Sequence, residues 1–324
     1  MCPGYESIRD TFILTPRYPI ISKKEKRMSF LKWVVYLMVQ PTRSSNSQTR
    51  LIGSMQIDVL KRNNVRVFGK GTTPMLFAHG FGCAQQMWRY LWPAFEEEYK
   101  IVVFDYVGSG QSDISAYNPE RYANLNGYAE DVLDICRALE LRDVIFVGHS
   151  VSSMVGALAS IKAPDFFQKI IMIGPSARYI NDHGYVGGFE RADIEELLMT
   201  MERNYIGWAN FLAPAIMKNS DTPELSQELT DSFCSTDPVI ARQFAEVTFL
   251  SDNRRDLHKV RHPSLIMQCS EDMVAPSEVG HYLSDHMPES TLVLMDATGH
   301  CPHMSAPEET IRLMKQYLES PVLN

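Results

Sequence analysis

Short apolar runs recur along the chain: Met75–Ala78, Ile101–Phe104, Val144–Val147, Ile170–Ile173, Leu265–Gln268 and Thr291–Leu294. Runs of this length predict parallel strands buried on both faces. Between several of them the apolar period lengthens to that of a helix, over Tyr122–Leu139, Ser152–Ala163, Pro276–His286 and Pro307–Leu318. Strand–helix alternation predicts a doubly wound, mostly parallel α/β sheet. Upstream, Ile57–Lys61 and Val65–Phe68 alternate apolar and polar positions around Asn63-Asn64. That pattern predicts a β-hairpin.

The alternation stops between about 187 and 252, where strand signals are absent. Four helical patterns replace them: Phe189–Arg203, Tyr205–Lys218, Pro223–Phe233 and Pro238–Phe249. Pro223 and Pro238 stand where a helix start tolerates proline. A helical insertion between two sheet strands reads as a lid.

The regular pattern begins at Met55, so one domain over 55–324 is expected, behind a segment 1–54 of different character. That segment holds nine Lys/Arg against three Asp/Glu, and the chain's net charge is −8, so the remainder carries −14. Its apolar stretch Phe30–Val39 is too short to span a bilayer. It has the basic and apolar parts of a signal peptide but no A-x-A cleavage site, and an interfacial anchor stays open. The expectation is a disordered extension, or a start placed upstream of Met28 or Met55. An acidic body argues against nucleic acid as a partner, which needs clustered cations. The six cysteines form no C-x-x-C pair or zinc spacing. They read as small core residues of a reducing compartment, and no metal or cofactor is expected.

Candidate chemistry concentrates at strand ends. Val147-Gly148-His149-Ser150-Val151-Ser152 follows an apolar strand and opens a helix, the setting of a nucleophile elbow. A serine hydroxyl needs a positioned base. Asp272 and His300 each follow a strand, in the chain order Ser, Asp, His. The expectation is Ser150 as nucleophile, His300 as base, and Asp272 fixing the imidazole tautomer. Glu271, Asp296 and His303 are the neighbours that compete for these roles. Backbone N–H groups of Val151 and of Phe81, in His79-Gly80-Phe81-Gly82, are the candidate oxyanion donors. Ser152 stands where G-x-S-x-G places its last glycine, which predicts some adjustment of the elbow. The Gly108–Gly110 loop reads as structural, since G-x-G alone is too weak for a nucleotide site.

These motifs resemble the RsbQ group of bacterial α/β hydrolases, which act in energy-stress signalling to the alternative sigma factor B. The carriers are His79-Gly80-Phe81-Gly82-Cys83, Phe104 to Gly110, Gly148-His149-Ser150-Val151 and Gly299-His300-Cys301-Pro302-His303. Within the lid, Asn204 to Trp208 and Phe233 to Pro238 extend the likeness. The plant strigolactone and karrikin receptors are more distant members of the same group. The resemblance implies an α/β-hydrolase fold with a four-helix lid over an apolar pocket, and a cytoplasmic protein. It also implies a small hydrophobic ester or lactone as ligand and a phosphatase partner carrying a PAS sensor domain. Phe189, Trp208, Leu212 and Phe244, with Phe81 and Val151, are the expected pocket residues.

Two other functions fit the same residues: a metabolic esterase or lactonase without a partner, and a ligand-binding scaffold without turnover. A serine at the elbow argues against haloalkane dehalogenase chemistry, whose nucleophile is an aspartate. Perhydrolase and hydroxynitrile lyase chemistry stay open, because one triad serves several reactions.

Overall fold

The computed structural model describes residues 58–320. The expectations for 1–54 and for Ile57 lie outside the described residues. Seven strands form one sheet in the order β1-β3-β2-β4-β5-β6-β7. They are β1 (Arg66–Phe68), β2 (Pro74–Ala78), β3 (Lys100–Val103), β4 (Val144–His149), β5 (Phe167–Ile173), β6 (Ser264–Glu271) and β7 (Ser290–Thr298). All pairs are parallel except β1 with β3.

The apolar runs of β2 to β6 are buried on both faces, because the side-chain period is two. Thr291–Leu294 is not, because β7 is an edge strand, and Leu294 is 51% exposed. Leu76, Val102, Phe146, Ile170 and Ile266 face one layer, with α2 (Leu125–Ala138), α3 (Val151–Lys162) and α8 (Ser277–His286). Met75, Ile101, Ile145, Ile171 and Leu265 face the other, with Trp88, Phe95 and Met314 of α10 (Pro307–Glu319). The four helical patterns between about 187 and 252 form α4 (Arg191–Arg203), α5 (Tyr205–Met217), α6 (Pro223–Cys234) and α7 (Pro238–Phe249), the segment read as a lid. These helices build a separate apolar cluster around Trp208, Leu212, Leu229 and Phe233.

The predicted hairpin does not form. Val59–Arg62 is a helical turn, α1, capped by Asp58 Oδ1, which accepts from Leu60 N at 3.1 Å and Lys61 N at 3.3 Å. The alternation misleads because two of its polar residues point inward. The buried Arg62 guanidinium reaches Asp131 at 3.2 Å and Asp134 at 3.0 Å. Asn63 is fully buried and donates to Asp105 O and to Asp131 Oδ2. Buried polar groups need such partners, and β1 pairs with β3 instead.

Candidate active site

The tight turn from β4 into α3 puts Ser150 at φ +54° and ψ −124°. For a residue with a Cβ this conformation costs about 1–3 kcal/mol. The turn is held by Ser150 N donating to Ile173 O at 2.8 Å and Ser153 N donating to Ser150 O at 2.9 Å. The strain lifts the hydroxyl above the strand ends, at the start of α3.

His300 arrives from the loop after β7. Gly299 permits that loop at φ +81°, where a Cβ would lie 2.2 Å from Met217 O. His300 N donates to Ile216 O at 2.8 Å, tying the loop to the end of α5. The imidazole Nε2 lies 2.7 Å from Ser150 Oγ, and Nδ1 lies 2.6 Å from Asp272 Oδ2. Asp272 Oδ1 accepts from Val274 N at 2.8 Å and Ala275 N at 3.1 Å. All three side chains are buried. A carboxylate so held fixes the Nδ1–H tautomer and leaves Nε2 free to accept the serine proton.

The competing residues are occupied elsewhere. Glu271 is exposed and ion-paired to Lys218. Asp296 is exposed on β7. His303 lies beneath the site, its ring 4.8 Å from Trp88 and 4.3 Å from His149. Burial, with a smaller contribution from His300, pushes the His303 pKa down to about 3. Burial likewise lowers His149 well below the usual histidine value. His149 Nε2 donates to His300 O at 2.8 Å. Both therefore pack around His300 as neutral rings.

Phe81 belongs to the loop after β2, and Val151 is the first residue of α3, where helix N–H groups are free. Among the described residues Phe81 N makes no turn or loop bond. Gly82, at φ +70°, lets this loop pass under the lid: a Cβ there would lie 1.9 Å from the Phe233 ring. Ser152 is buried, and its extra hydroxyl is used. It donates to His79 O at 2.5 Å and meets Tyr106 Oη at 3.0 Å. The elbow therefore keeps its turn, and the serine links α3 to the Phe81 loop.

A narrow cavity lies over Ser150 and His300. Its free space is about 30 Å³, room for a water molecule or two. Phe81, Phe189 and Leu212 line it as expected. Trp208 and Phe244 do not. Trp208 packs behind the wall, 5.1 Å from Phe233 and 5.5 Å from Tyr205, ring to ring. Phe244 stacks on Tyr128 at 4.3 Å and joins α7 to the body. Helical period gives the face of α5 or α7 that is buried, but not which neighbour covers it. The sequence reading missed Phe233, Phe249, Thr248, Met273 and Val274 in the wall. Met273 and Val274 were within reach, since they directly follow Asp272. It also missed Tyr179, whose buried hydroxyl stands 3.4 Å from Ser150 Oγ and whose pKa burial raises. A larger groove of about 960 Å³, between the start of α2 and α7, contains no triad residue.

A sheet with this strand order, a strained serine between β4 and α3, and Asp and His from the ends of β6 and β7 define an α/β hydrolase. The chain belongs to the alpha/beta hydrolase family, whose model matches residues 75–313. A karrikin insensitive 2 receptor of Petunia hybrida is 35% identical, covering 80% of this chain and 97% of its own. The strigolactone esterase RMS3 of Pisum sativum is 38% identical over 78% of this chain and 95% of its own. A solved hydrolase from Oleispira antarctica superposes with TM-score 0.80 at 47% identity, covering 82% of this chain and 97% of that one. The family and the likeness to these plant proteins are thus shown, and the narrower RsbQ likeness rests on the motifs alone. Among the described residues no helix is long and apolar enough to cross a membrane. Nor could any cluster of three or more His, Cys, Asp or Glu hold a metal ion there.

Proposed function

We propose that the protein is a serine hydrolase of small hydrophobic esters or lactones. The observation that carries this reading is the continuous chain Ser150 Oγ, His300 Nε2, His300 Nδ1, Asp272 Oδ2, with contacts of 2.7 and 2.6 Å. Ser150 Oγ attacks the scissile carbonyl carbon while His300 Nε2 takes its proton. The carbonyl oxygen becomes an oxyanion facing the N–H groups of Phe81 and Val151. Collapse expels the alkoxide, which leaves with the proton from His300. A water then attacks the acyl-enzyme, giving its proton to His300, and Ser150 is regenerated with release of the acid. The narrow apolar cavity favours short acyl groups and disfavours charged ones.

The test is turnover of 4-nitrophenyl butyrate by the purified protein beside Ser150→Ala and His300→Ala. Each variant is expected to lose about 10⁴-fold or more in kcat, and together no more than either alone. Equal rates in wild type and both variants sink the reading.

A signalling role is the finer proposal. It rests on the RsbQ-like motifs, on relatives named as receptors, and on Phe211 and Val239, each 77% exposed on the lid. Phe211 lies on α5 and Val239 on α7, and exposed apolar side chains on these helices suit a protein partner. The partner implied is a PAS-domain phosphatase, in the cytoplasm. Co-purification with such a phosphatase, weakened by Phe211→Ser, supports this role; its absence with ligand present leaves the metabolic esterase.

A further inference from the structure

Thr248 lies in the last turn of α7 and lines the cavity over Ser150. It is 1% exposed, and its hydroxyl oxygen has no hydrogen-bond partner among the described residues. That is unusual for a helical threonine, which ordinarily returns its hydroxyl to the carbonyl one turn earlier. Two other threonines of this chain do so: Thr230 donates to Ser226 O, and Thr310 donates to Ala306 O, both at 2.9 Å. Among the other polar groups of the cavity, His149 Nδ1 also has no partner but lies beside Gly80, and the following are committed. Ser150 and His300 bond each other, His149 bonds His300 O, and the Cys83 thiol points to Phe81 O at 3.5 Å. The other lid residues around Thr248, including Phe189, Leu212 and Phe249, offer only carbon.

We infer that Thr248 is a specificity-determining residue that hydrogen-bonds a second oxygen of the substrate, separate from the scissile ester. The inference rests on the ester-hydrolase reading and narrows its substrate class. An alkyl ester would leave the hydroxyl unpaired against carbon, whereas an oxygenated acyl chain or ring satisfies it. A site built around one buried hydroxyl rejects the analogue lacking the matching atom. Ser150 and His300 then set the reaction, and Thr248 sets which apolar ester is preferred.

Three isosteric esters test this: 4-nitrophenyl pentanoate, ethoxyacetate and 3-methoxypropanoate, which differ only in the presence and position of one ether oxygen. The quantity read is the ratio of kcat/KM for each ether ester to that for pentanoate. Dividing by the same ratio for the variant removes differences in intrinsic reactivity. In Thr248→Val, which keeps the shape, the ratio for one ether ester is expected to fall about tenfold. Thr248→Ser, which keeps the hydroxyl, should hold it near wild type. Ratios within twofold of wild type for both ether esters in Thr248→Val overturn the inference. So does an equal loss in Thr248→Ser and Thr248→Val. Wild type without turnover of any of the three would overturn the hydrolase reading separately. The ratios would then be read as dissociation constants on Ser150→Ala, where the same two outcomes decide.

Discussion

The floor and the wall of the cavity are built on opposite rules. The floor, from β4, β6, β7 and the Phe81 loop, is polar and internally paired. Ser150, His300, Asp272, His149, Ser152 and Tyr106 each meet at least one partner at 2.5 to 3.1 Å. The wall, from the lid helices, is aromatic and aliphatic, with Thr248 as its one unpaired hydroxyl among the described residues. Hydrogen bonds are directional and hold atoms to a fraction of an ångström, as bond-making chemistry requires. Apolar packing sets volume and leaves the partner undetermined, as substrate choice requires. Under the proposed function a division of labour follows: the floor fixes the reaction, and the wall fixes the substrate.

Phe81 crosses that boundary and offers the largest effect. Its N–H belongs to the floor, while its ring meets four lid rings: Trp208 at 6.1 Å, Phe233 at 5.8 Å, Phe244 at 5.6 Å and Phe249 at 6.0 Å. Phe81→Ala keeps the N–H and removes the packing. Stability should drop by about 3 kcal/mol, and KM should rise by a larger factor than kcat falls. A fall confined to kcat would mean that the ring serves the chemistry and would break the comparison.

The same division explains what could be read from the sequence. Floor residues follow strands directly, so Ser150, Asp272 and His300 are legible from local order. The sheet itself is legible because short apolar runs alternate with longer helical periods, as buried parallel strands in an α/β fold require. Wall residues depend on how four helices pack, which no local period records. Phe189 and Leu212 line the cavity, whereas Trp208 and Phe244 turn toward other partners. The hairpin expected at 57–68 failed for a related reason. Arg62 and Asn63 are polar residues whose buried partners, Asp131, Asp134 and Asp105, lie far away in sequence.

The floor's buried histidines make stability depend on pH, which the carbon of the wall cannot do. Burial lowers the pKa values of His79, His149 and His303, the last to about 3. Between these values and the unfolded value of 6.5, the unfolded chain binds protons that the folded chain refuses. Stability is therefore full above pH 6.5 and is lost as pH falls toward 3. For His303 the slope is about 1.4 kcal/mol per pH unit, so roughly 2 kcal/mol between pH 6.5 and 5, and His149 and His79 act in the same direction. The lowered Asp252, at about 2, acts only below its ordinary value of 3.8 and does not enter this window. Urea unfolding at pH 7, 6 and 5 measures the slope. A flat profile would show that the histidines gain protons without unfolding, and that the floor is wetter than its geometry indicates.

The smallest effect concerns Ser152, the hydroxyl that joins two parts of the floor. In place of the glycine of the usual elbow it donates to His79 O and meets Tyr106 Oη. Tyr106 is fully buried, and Ser152 is its side chain's hydrogen-bond partner. Ser152→Ala leaves that phenol and the His79 carbonyl unpaired, at a cost of about 1–2 kcal/mol. Tyr106→Phe in the same chain removes one of the two orphaned groups and should return part of the loss. A coupling of about 1 kcal/mol between the two substitutions is expected from a double-mutant cycle. Because His79 precedes Gly80-Phe81, loosening its carbonyl also loosens the Phe81 N–H, so kcat should fall severalfold with little change in KM. Additive substitutions and unchanged kcat would mean that Ser152 only fills space. The floor would then owe its order to the triad and the β4 turn alone.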